Sequence, residues 1–420
     1  MKKKALLISA IASNQGKTLL TMALLHHYKA RVNPFKCGPD FIDPQFHEKI
    51  AQTASHNLDL YMMNEQQVKW VYQRYFTKEY AIVEGVMGYY DGMDKGSSAY
   101  DIAKSLEIPS VLILDGGGSY ITIVAVLKGV CEFRDDNTIV AVVLNNLSSE
   151  MHYELIKKHI ESELPHIKVC GWIQKGLESL SSTHLGLDLK ELDEDRVQRV
   201  TQEVLEHIDI ELLESVASVE LKDVKEYPFE AIQKRKGVAV IVKDKNFSFL
   251  YDDNVEYVKE LYEKVVFINS TQDESIPQDA VLVILPGGYV ETQESYQRIE
   301  NSHNFRNSLV AYAKKGDLYA ECAGLIYLGE RCDEKKMSGI LPVTFTLSSK
   351  RERLGYYKYD KEDGTTLRGH AFHYSKVVDA PATDIKLYKL SKKNAKEGGY
   401  SKDNIFATYL HTMWRVGGVL

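Results

Sequence analysis

Three groups of residues have the types and spacing that phosphate or acyl chemistry requires. In ISAIASNQGKTLLTMALLHHYK, an apolar run leads through Gly16, Lys17 and Thr18 into a helical pattern. Backbone N–H groups and the helix dipole at such a start cradle phosphates. Lys17 would pair with the outer phosphates, and Thr18 would place its hydroxyl on Mg²⁺. The plain Walker spacing is not met, because Ile11 stands six residues before Lys17. A longer variant beginning at Ala10 fits better, with Asn14 holding a positive φ in place of a glycine. The competing reading is a strand-to-helix turn with a surface lysine.

The second group is acidic. KCGPDFIDPQFH places Asp40 and Asp43 in a proline-bounded loop, and IVEGVMGYYDG places Glu84 where a buried strand ends. Such positions suit Mg²⁺, which takes one or two carboxylates and completes its shell with phosphate and water. Turn and helix-capping chemistry is the alternative for Asp40 and Asp43.

The third group lies late in the chain. In GDLYAECAGLIYLG, Cys322 ends an apolar strand and precedes a small-residue turn into a helix. That geometry exposes a nucleophile, and the helix dipole is expected to lower its pKa. Upstream, VLVILPGGYVE ends in Gly287-Gly288, where backbone N–H groups, with that of Ala323, approach a tetrahedral oxyanion. ATYLHTMW offers His411 as the base. A lone strand cysteine is more often a core residue, but PGG, Cys and a late His in strand contexts point to a glutaminase.

Positioning these groups requires two α/β series. KALLISAI, YAIVEGV, SVLILD, TIVAVVLNN and KVCGWI alternate with helical stretches, which predicts a parallel sheet covered by helices. GVAVIVKD, KVVFINS, AVLVILPGG and GDLYAECAG begin a second series that ends in the β-rich segment from RLGYYKYD to ATYLHTMW. Between them an acidic helical stretch reads as a linker. The expected division is an ATP-binding domain over 1–190, a helical linker over 191–236 and a glutaminase domain over 237–420.

A chain of 420 residues has room for two or three domains. With 52 basic against 59 acidic residues, the net charge of −7 offers no basic footprint for nucleic acid. A composition of 44% hydrophobic and 26% charged residues excludes disorder as a whole-chain description. The most apolar segment, SVLILDGGGSYITIVAVL, is broken by Asp115 and three glycines, and MKKKALLISAIAS leads into GKT rather than a cleavage site. A soluble, cytoplasmic protein without nucleic-acid or membrane partners is therefore expected. Five scattered cysteines without a CxxC pair suggest neither a disulfide framework nor a zinc site.

Taken together, these motifs resemble those of the cobyrinic acid a,c-diamide synthase family, glutamine-dependent ligases of corrin biosynthesis with relatives acting on hydrogenobyrinic acid or nickel sirohydrochlorin. The resemblance covers nearly the whole chain. It implies a P-loop ATPase domain like dethiobiotin synthetase (through KCGPDFIDPQFH, VEGVMGYYDG, VVLNN and THLGL) followed by a class I glutamine amidotransferase domain (through LPGGYVE, AECAGLIYLG, RGHAFHYS and ATYLHTMW). It further implies Asn14, Gly16, Lys17 and Thr18 on ATP, Thr18, Asp40 and Glu84 on Mg²⁺, Asp43 in substrate activation, and Asn145 near adenine. Cys322 and His411 would be the glutaminase pair, with Gly288 and Ala323 as oxyanion hole. The implied partners are ATP, glutamine and a tetrapyrrole polycarboxylate, and a homodimer is compatible with the resemblance. Ala10 and Asn14 stand where the family usually has glycines, Ala371 where GHEFHYS has Glu, and Met413 where a second His commonly follows. Other class I enzymes orient the base with a Glu two residues on, which Met413 cannot replace, so the third member of the site is unassigned by sequence. The competing readings are the same amidation of nickel sirohydrochlorin or hydrogenobyrinic acid, and a ParA-like switch ATPase, against which Cys322, Gly288 and His411 argue.

Overall fold

A computed structural model describes residues 3–177, 182–183, 186–187, 194–220, 224, 226–380, 383–390 and 395–417. The chain forms two compact units, Met1–Pro228 and Phe229–Leu420.

The first unit opens with β1 (Lys3–Ala10), α1 (Lys17–Tyr28), β2 (Val32–Cys37), α2 (Asp43–Ala51), β3 (His56–Leu58) and α3 (Glu65–Tyr75). It continues with β4 (Tyr80–Glu84), α4 (Ala99–Leu106), β5 (Ser110–Asp115), α5 (Ile121–Glu132), β6 (Ile139–Leu147), α6 (Glu150–Glu163) and β7 (Lys168–Gln174). These strands make one parallel sheet in the order β3-β2-β4-β1-β5-β6-β7. Helical crossovers cover both faces, so its strands are continuously apolar rather than alternating, and every residue of β2 and β4 is buried. Parallel strands bring all their C-terminal ends to one edge. Ala10, Cys37, Glu84 and Asp115 therefore meet there, where α/β sheets bind ligands.

Beyond β7, the short pair β8 (Ser182–Thr183) and β9 (Gly186–Leu187) leads to α7 (Glu194–Leu205), α8 (Ile210–Val216) and β10 (Ser218–Val219). Residues 184–185 of the THLGL motif lie outside the described residues. Of the segment expected to be a linker, the part up to Pro228 belongs to the first unit and the rest to the second. Val197, Val200 and Val204 of α7 and Leu213 of α8 are buried in the core that α1 and β1 also fill, and β10 pairs with Lys3 and Lys4 of β1. Acidic composition disguised an amphipathic helix, whose valines recur at i, i+3 and i+7 on one face.

The second unit contains β11 (Arg235–Val242), α9 (Asp252–Leu261), β12 (Tyr262–Ile268), β13 (Ala280–Leu285), α10 (Gln293–Ile299), α11 (His303–Tyr312), β14 (Asp317–Glu321) and α12 (Ala323–Leu328). Then come β15 (Arg331–Cys332), β16 (Lys335–Lys336), β17 (Thr344–Leu347), β18 (Arg353–Asp360), β19 (Thr366–His373) and β20 (Ser375–Asp379). The unit closes with β21 (Ile385–Lys389), β22 (Ala395–Lys402), β23 (Ile405–Thr408), β24 (His411–Thr412) and α13 (Trp414–Gly417). Its main sheet runs β12-β11-β13-β14-β23-β22-β21-β18-β19-β24. Pairing is parallel from β12 to β23 and antiparallel beyond. A smaller sheet, β16-β15-β17-β20, lies apart from it. Among the described residues no helix is long and apolar enough to cross a membrane.

If α8 is part of the first core, Leu213→Ala should cost about 2–5 kcal/mol, the usual range for a buried leucine. A linker leucine would change stability by less than about 0.5 kcal/mol. Thermal and urea unfolding of the full chain measure the difference.

Candidate active sites

The turn between β1 and α1 is a phosphate-type loop. Asn14 holds φ 61° and Gly16 φ 102°, so the positive φ expected at Asn14 is present. A Cβ on Gly16 would lie 2.5 Å from Asn145 Nδ2, and that same amide donates to the Gln15 carbonyl at 2.9 Å. Asn145, at the end of β6, thus braces the loop from below. The Lys17 ammonium lies across the loop and donates to the Ala12 carbonyl at 3.0 Å. Burial, with the Lys36 charge close by, brings its pKa down to about 8. GVMGYYDG supports the loop from the other side: Gly85 and Tyr89 N–H donate to the Ile8 and Ala10 carbonyls. A Cβ on Gly88 would stand 2.5 Å from the Ile11 carbonyl oxygen.

Beside the loop, Glu84 is wholly buried. It accepts from the Thr18 hydroxyl at 2.7 Å, from Lys36 at 3.2 Å, and lies 2.8 Å from His47 Nε2. Lys36 also contacts Asp43 directly and stands 3.8 Å from Asp40. One buried lysine thereby serves three carboxylates. Burial alone would raise the Glu84 pKa, but Lys36, His47 and Thr18 outweigh it and hold the group below the usual range. Asp43 receives less compensation, and burial pushes it upward. Asp40 performs the turn chemistry that competed with a metal role: its Oδ1 accepts from the N–H groups of Ile42 and Asp43 at 2.8 and 3.1 Å. Its other oxygen faces Lys36.

Oxygen donors and an excess of buried negative charge at a helix N-terminus fit Mg²⁺ accompanying a nucleotide. Among the described residues no three His, Cys, Asp or Glu side chains converge as a metal cage. That accords with an ion that draws most of its shell from phosphate and water. Sequence reasoning missed Lys36 and His47. Both lie inside KCGPDFIDPQFH, and His47 follows Asp43 by one helical turn, the spacing that places two side chains on one face.

In the second unit Cys322 forms a strained turn between β14 and α12, with φ 47° and ψ −101°. A non-glycine residue in that region is uncommon and concentrates at functional sites. A Cβ on Gly324 would lie 2.3 Å from the Leu285 carbonyl oxygen, which packs this turn onto the end of β13. Gly288 has φ 145°, and a Cβ there would lie 2.0 Å from the Asn246 carbonyl oxygen; one on Gly287 would lie 2.1 Å from His411 Cε1. The PGG loop and the His411 ring are therefore in contact. The expectation that the helix dipole lowers the thiol pKa is reversed: α12 has six residues, all buried, and burial, with Glu291 nearby, raises the Cys322 thiol well above its ordinary value.

Two more buried groups lie close by. Arg353 and His373 are cross-strand partners on β18 and β19, exposed by only 6% and 7%, on the face that also carries buried Ala371. Among the described residues, Arg353 Nη1 and His373 Nε2 have no hydrogen-bond partner. His373 Nδ1 donates to the Ser375 carbonyl at 2.8 Å, and burial with the Arg353 charge brings the imidazole down to about 3. It is neutral, with Nε2 an acceptor. Both groups pack on Tyr409, His373 stacked at 3.8 Å and Arg353 5.6 Å from its centroid. The Tyr409 ring also senses the Cys322 thiol.

Glu84→Gln preserves size but removes the charge around which Thr18, Lys36 and His47 are arranged. The expected result is a fall in kcat of about 100-fold or more with the fold retained. Asp40→Asn keeps an oxygen for the turn, so its melting temperature should hold while kcat reports whether the second oxygen matters. Calorimetry and kinetics on the same variants separate stability from chemistry. His373 yields a pH prediction. Its folded pKa of about 3 lies below the unfolded value of about 6.5, so its share of stability is complete above pH 6.5 and is lost as pH falls toward 3, by up to about 1.4 kcal/mol per pH unit. His373→Gln should flatten that acid limb in unfolding measurements.

Residues 4–175 match the family model described as an AAA domain, and residues 238–417 match the CobB/CobQ-like glutamine amidotransferase domain. The chain is 33% identical to the cobyrinate a,c-diamide synthase of Fusobacterium nucleatum, with 97% of each chain covered. It is 32% identical to the synthase of Streptococcus sanguinis, over 97% of this chain and 95% of that one. With the synthase of Sulfurisphaera tokodaii it shares 32% identity over 98% and 97%. The chain, an α/β protein with a P-loop ATPase unit followed by a glutamine amidotransferase unit, belongs to the cobyrinate a,c-diamide synthase family.

Proposed function

We propose that this chain uses ATP and glutamine to amidate the a and c acetate carboxylates of cobyrinic acid in corrin biosynthesis. What supports this reading is the presence in one chain of a phosphate loop beside a buried acidic cluster and, later, a strained cysteine turn near a buried histidine, along the whole length of the synthases it matches. Neither half alone would account for both. A switch ATPase has no use for Cys322, the PGG loop and His411.

A carboxylate oxygen does not leave as oxide at neutral pH. Transfer of the ATP γ-phosphoryl group to the acetate gives an acyl phosphate; ammonia then adds to the acyl carbon and the C–O bond breaks with phosphate departing. Positioning and charge neutralisation dominate such transfers. The backbone from Asn14 to Gly16 would hold the phosphates, Lys17 would offset their charge, and Asn145 would serve ATP through Gln15 and at adenine. Thr18, Asp40 and Glu84 would hold Mg²⁺, which neutralises phosphate charge during transfer. Asp43 would face the substrate carboxylate.

Free ammonia is mostly protonated in cells, so glutamine supplies it. The Cys322 proton passes to His411, the thiolate adds to the carbonyl carbon of the glutamine side-chain amide, and the oxyanion rests on the N–H groups of Gly288 and Ala323. The C–N bond breaks as His411 returns the proton to the departing ammonia, and water hydrolyses the thioester to glutamate. Arg353 Nη1 would receive the α-carboxylate of glutamine, and His373 Nε2 its ammonium. Dependence on ATP and glutamine makes the cytoplasm the expected compartment. The same chemistry would serve nickel sirohydrochlorin or hydrogenobyrinic acid. Product masses with ATP, glutamine and each tetrapyrrole decide the substrate, and a gain of two amides on cobyrinic acid alone is expected.

Cys322→Ala should abolish glutamine-dependent amidation yet keep turnover with high ammonium at alkaline pH, because only the nitrogen source is lost. Retained glutamate release by this variant would overturn the glutaminase assignment. Lys17→Ala should stop amidation from either nitrogen source. Normal ammonia-dependent turnover would make Gly16-Lys17-Thr18 a structural turn.

A further inference from the structure

A histidine that must accept a thiol proton works best when its other ring nitrogen is held by a fixed acceptor, which sets the tautomer and stabilises the imidazolium. Two residues past His411 stands Met413, buried and without such an acceptor. We infer that Glu321, the residue immediately before the nucleophile, is the positioning residue for His411. Its Oε2 lies 3.6 Å from His411 Nδ1, and both side chains are only 2% exposed.

The carboxylate is immobilised for this task. Its Oε1 accepts from the Tyr319 hydroxyl at 2.6 Å, the Trp414 Nε1–H at 2.9 Å, and the Thr412 N–H and hydroxyl at 3.2 Å each. These donors come from β14, β24 and α13, so the carboxylate plane is set by three elements, and Oε2 is turned toward the imidazole. Other titratable groups surround the Cys322 and His411 pair: His370 and His373 on β19 are buried and brought down to about 3, Arg353 stands beside His373, and burial pushes both the Cys322 thiol and the neighbouring Glu291 carboxyl upward. Glu321 is the group that presents a carboxylate oxygen to His411 Nδ1, the ring nitrogen left to be positioned when the other takes up the thiol proton. The need is acute because a thiol raised by burial gives up its proton only to a base whose charged form is stabilised. Strand alternation would send Glu321 and Cys322 to opposite faces. The strained turn at Cys322 breaks this alternation, and the Glu321 carboxylate is left beside the imidazole.

This inference rests on the glutaminase reading, and the experiment separates the two. Glutamate release and ammonia-driven amidation are measured for wild type, Cys322→Ala, Glu321→Gln, Glu321→Asp and Trp414→Phe. Glu321→Gln keeps shape and an oxygen for the donors but loses the charge. Its glutaminase kcat is expected to fall about 100-fold with KM changed less than about threefold. The acid limb of its kcat/KM profile should move about one pH unit lower, because removing a neighbouring negative charge lowers the base's pKa. Glu321→Asp, which keeps the charge, should recover part of kcat and the wild-type limb. Trp414→Phe removes one donor from Oε1 and should lower the melting temperature without moving the limb. A Glu321→Gln enzyme with unchanged kcat and limb overturns the inference, as does parallel loss of ammonia-driven amidation in both Glu321 variants, which would mark a purely structural residue. Equal glutamate release by wild type and Cys322→Ala would instead remove the glutaminase reading itself.

Discussion

Burying an ionised carboxylate costs several kcal/mol unless partners replace its lost water, and the first unit is arranged around meeting that cost at Glu84. Its partners come from three other elements: Thr18 from α1, Lys36 from β2 and His47 from α2. They converge only because β4 lies between β1 and β2 in a parallel sheet, which places all three strand ends on one edge. The strand order is therefore a condition of the acidic site. Lys36 shared among Asp40, Asp43 and Glu84 leaves a surplus of negative charge. Such a surplus is tolerable beside Lys17 and the metal–nucleotide pair proposed to bind there, and it gives the loop a reason to hold Lys17 so close.

The second unit meets a related constraint by a different route. Cys322, its proposed nucleophile, occupies a backbone conformation that a non-glycine residue adopts at a cost of about 1–3 kcal/mol. The surrounding structure over-determines that conformation: Cys322 N–H donates to the Thr408 carbonyl, while Gly324 packs onto the end of β13. Strain of this kind is maintained by packing on both sides of the turn. It also explains why glycines at 287 and 288 are required, since any Cβ there would collide with His411 or with the Asn246 carbonyl. The glycines admit the imidazole and bring backbone close to it. Close approach is the role of Gly287, and at Gly288 it is joined by a positive φ of 145°.

Both units also contain cations whose partners are not protein carboxylates. Lys17 rests on a backbone carbonyl, and Arg353 has one guanidinium nitrogen unsatisfied in a buried place. A buried arginine with an empty donor is costly, and an arriving carboxylate would relieve it. In each unit the energetic debt of the free protein thus matches the charge of the proposed ligand, phosphate in one and the glutamine carboxylate in the other.

The two-unit α/β plan, the phosphate loop with Asn14 at positive φ, and the cysteine turn were all legible in the sequence, because each depends on local patterns: apolar runs, glycine spacing, and strand followed by helix. The helices over 194–216 were legible as helices but not as part of the first core. Where an amphipathic face docks is decided by the partner surface, and composition does not carry that information. For Asp40 the sequence left a turn role and a metal role open, and the N–H groups of Ile42 and Asp43 show how one oxygen is used for the turn. Lys36, His47, Glu321 and Arg353 escaped notice for a single physical reason. Their roles arise from side chains on elements far apart in the chain, and, for Glu321, from a strained turn that breaks strand alternation. Residue types and local spacing determined which chemistry the chain could perform. Only the tertiary structure decided which charges are buried together, and burial is what converts a nearby charge into a strong interaction.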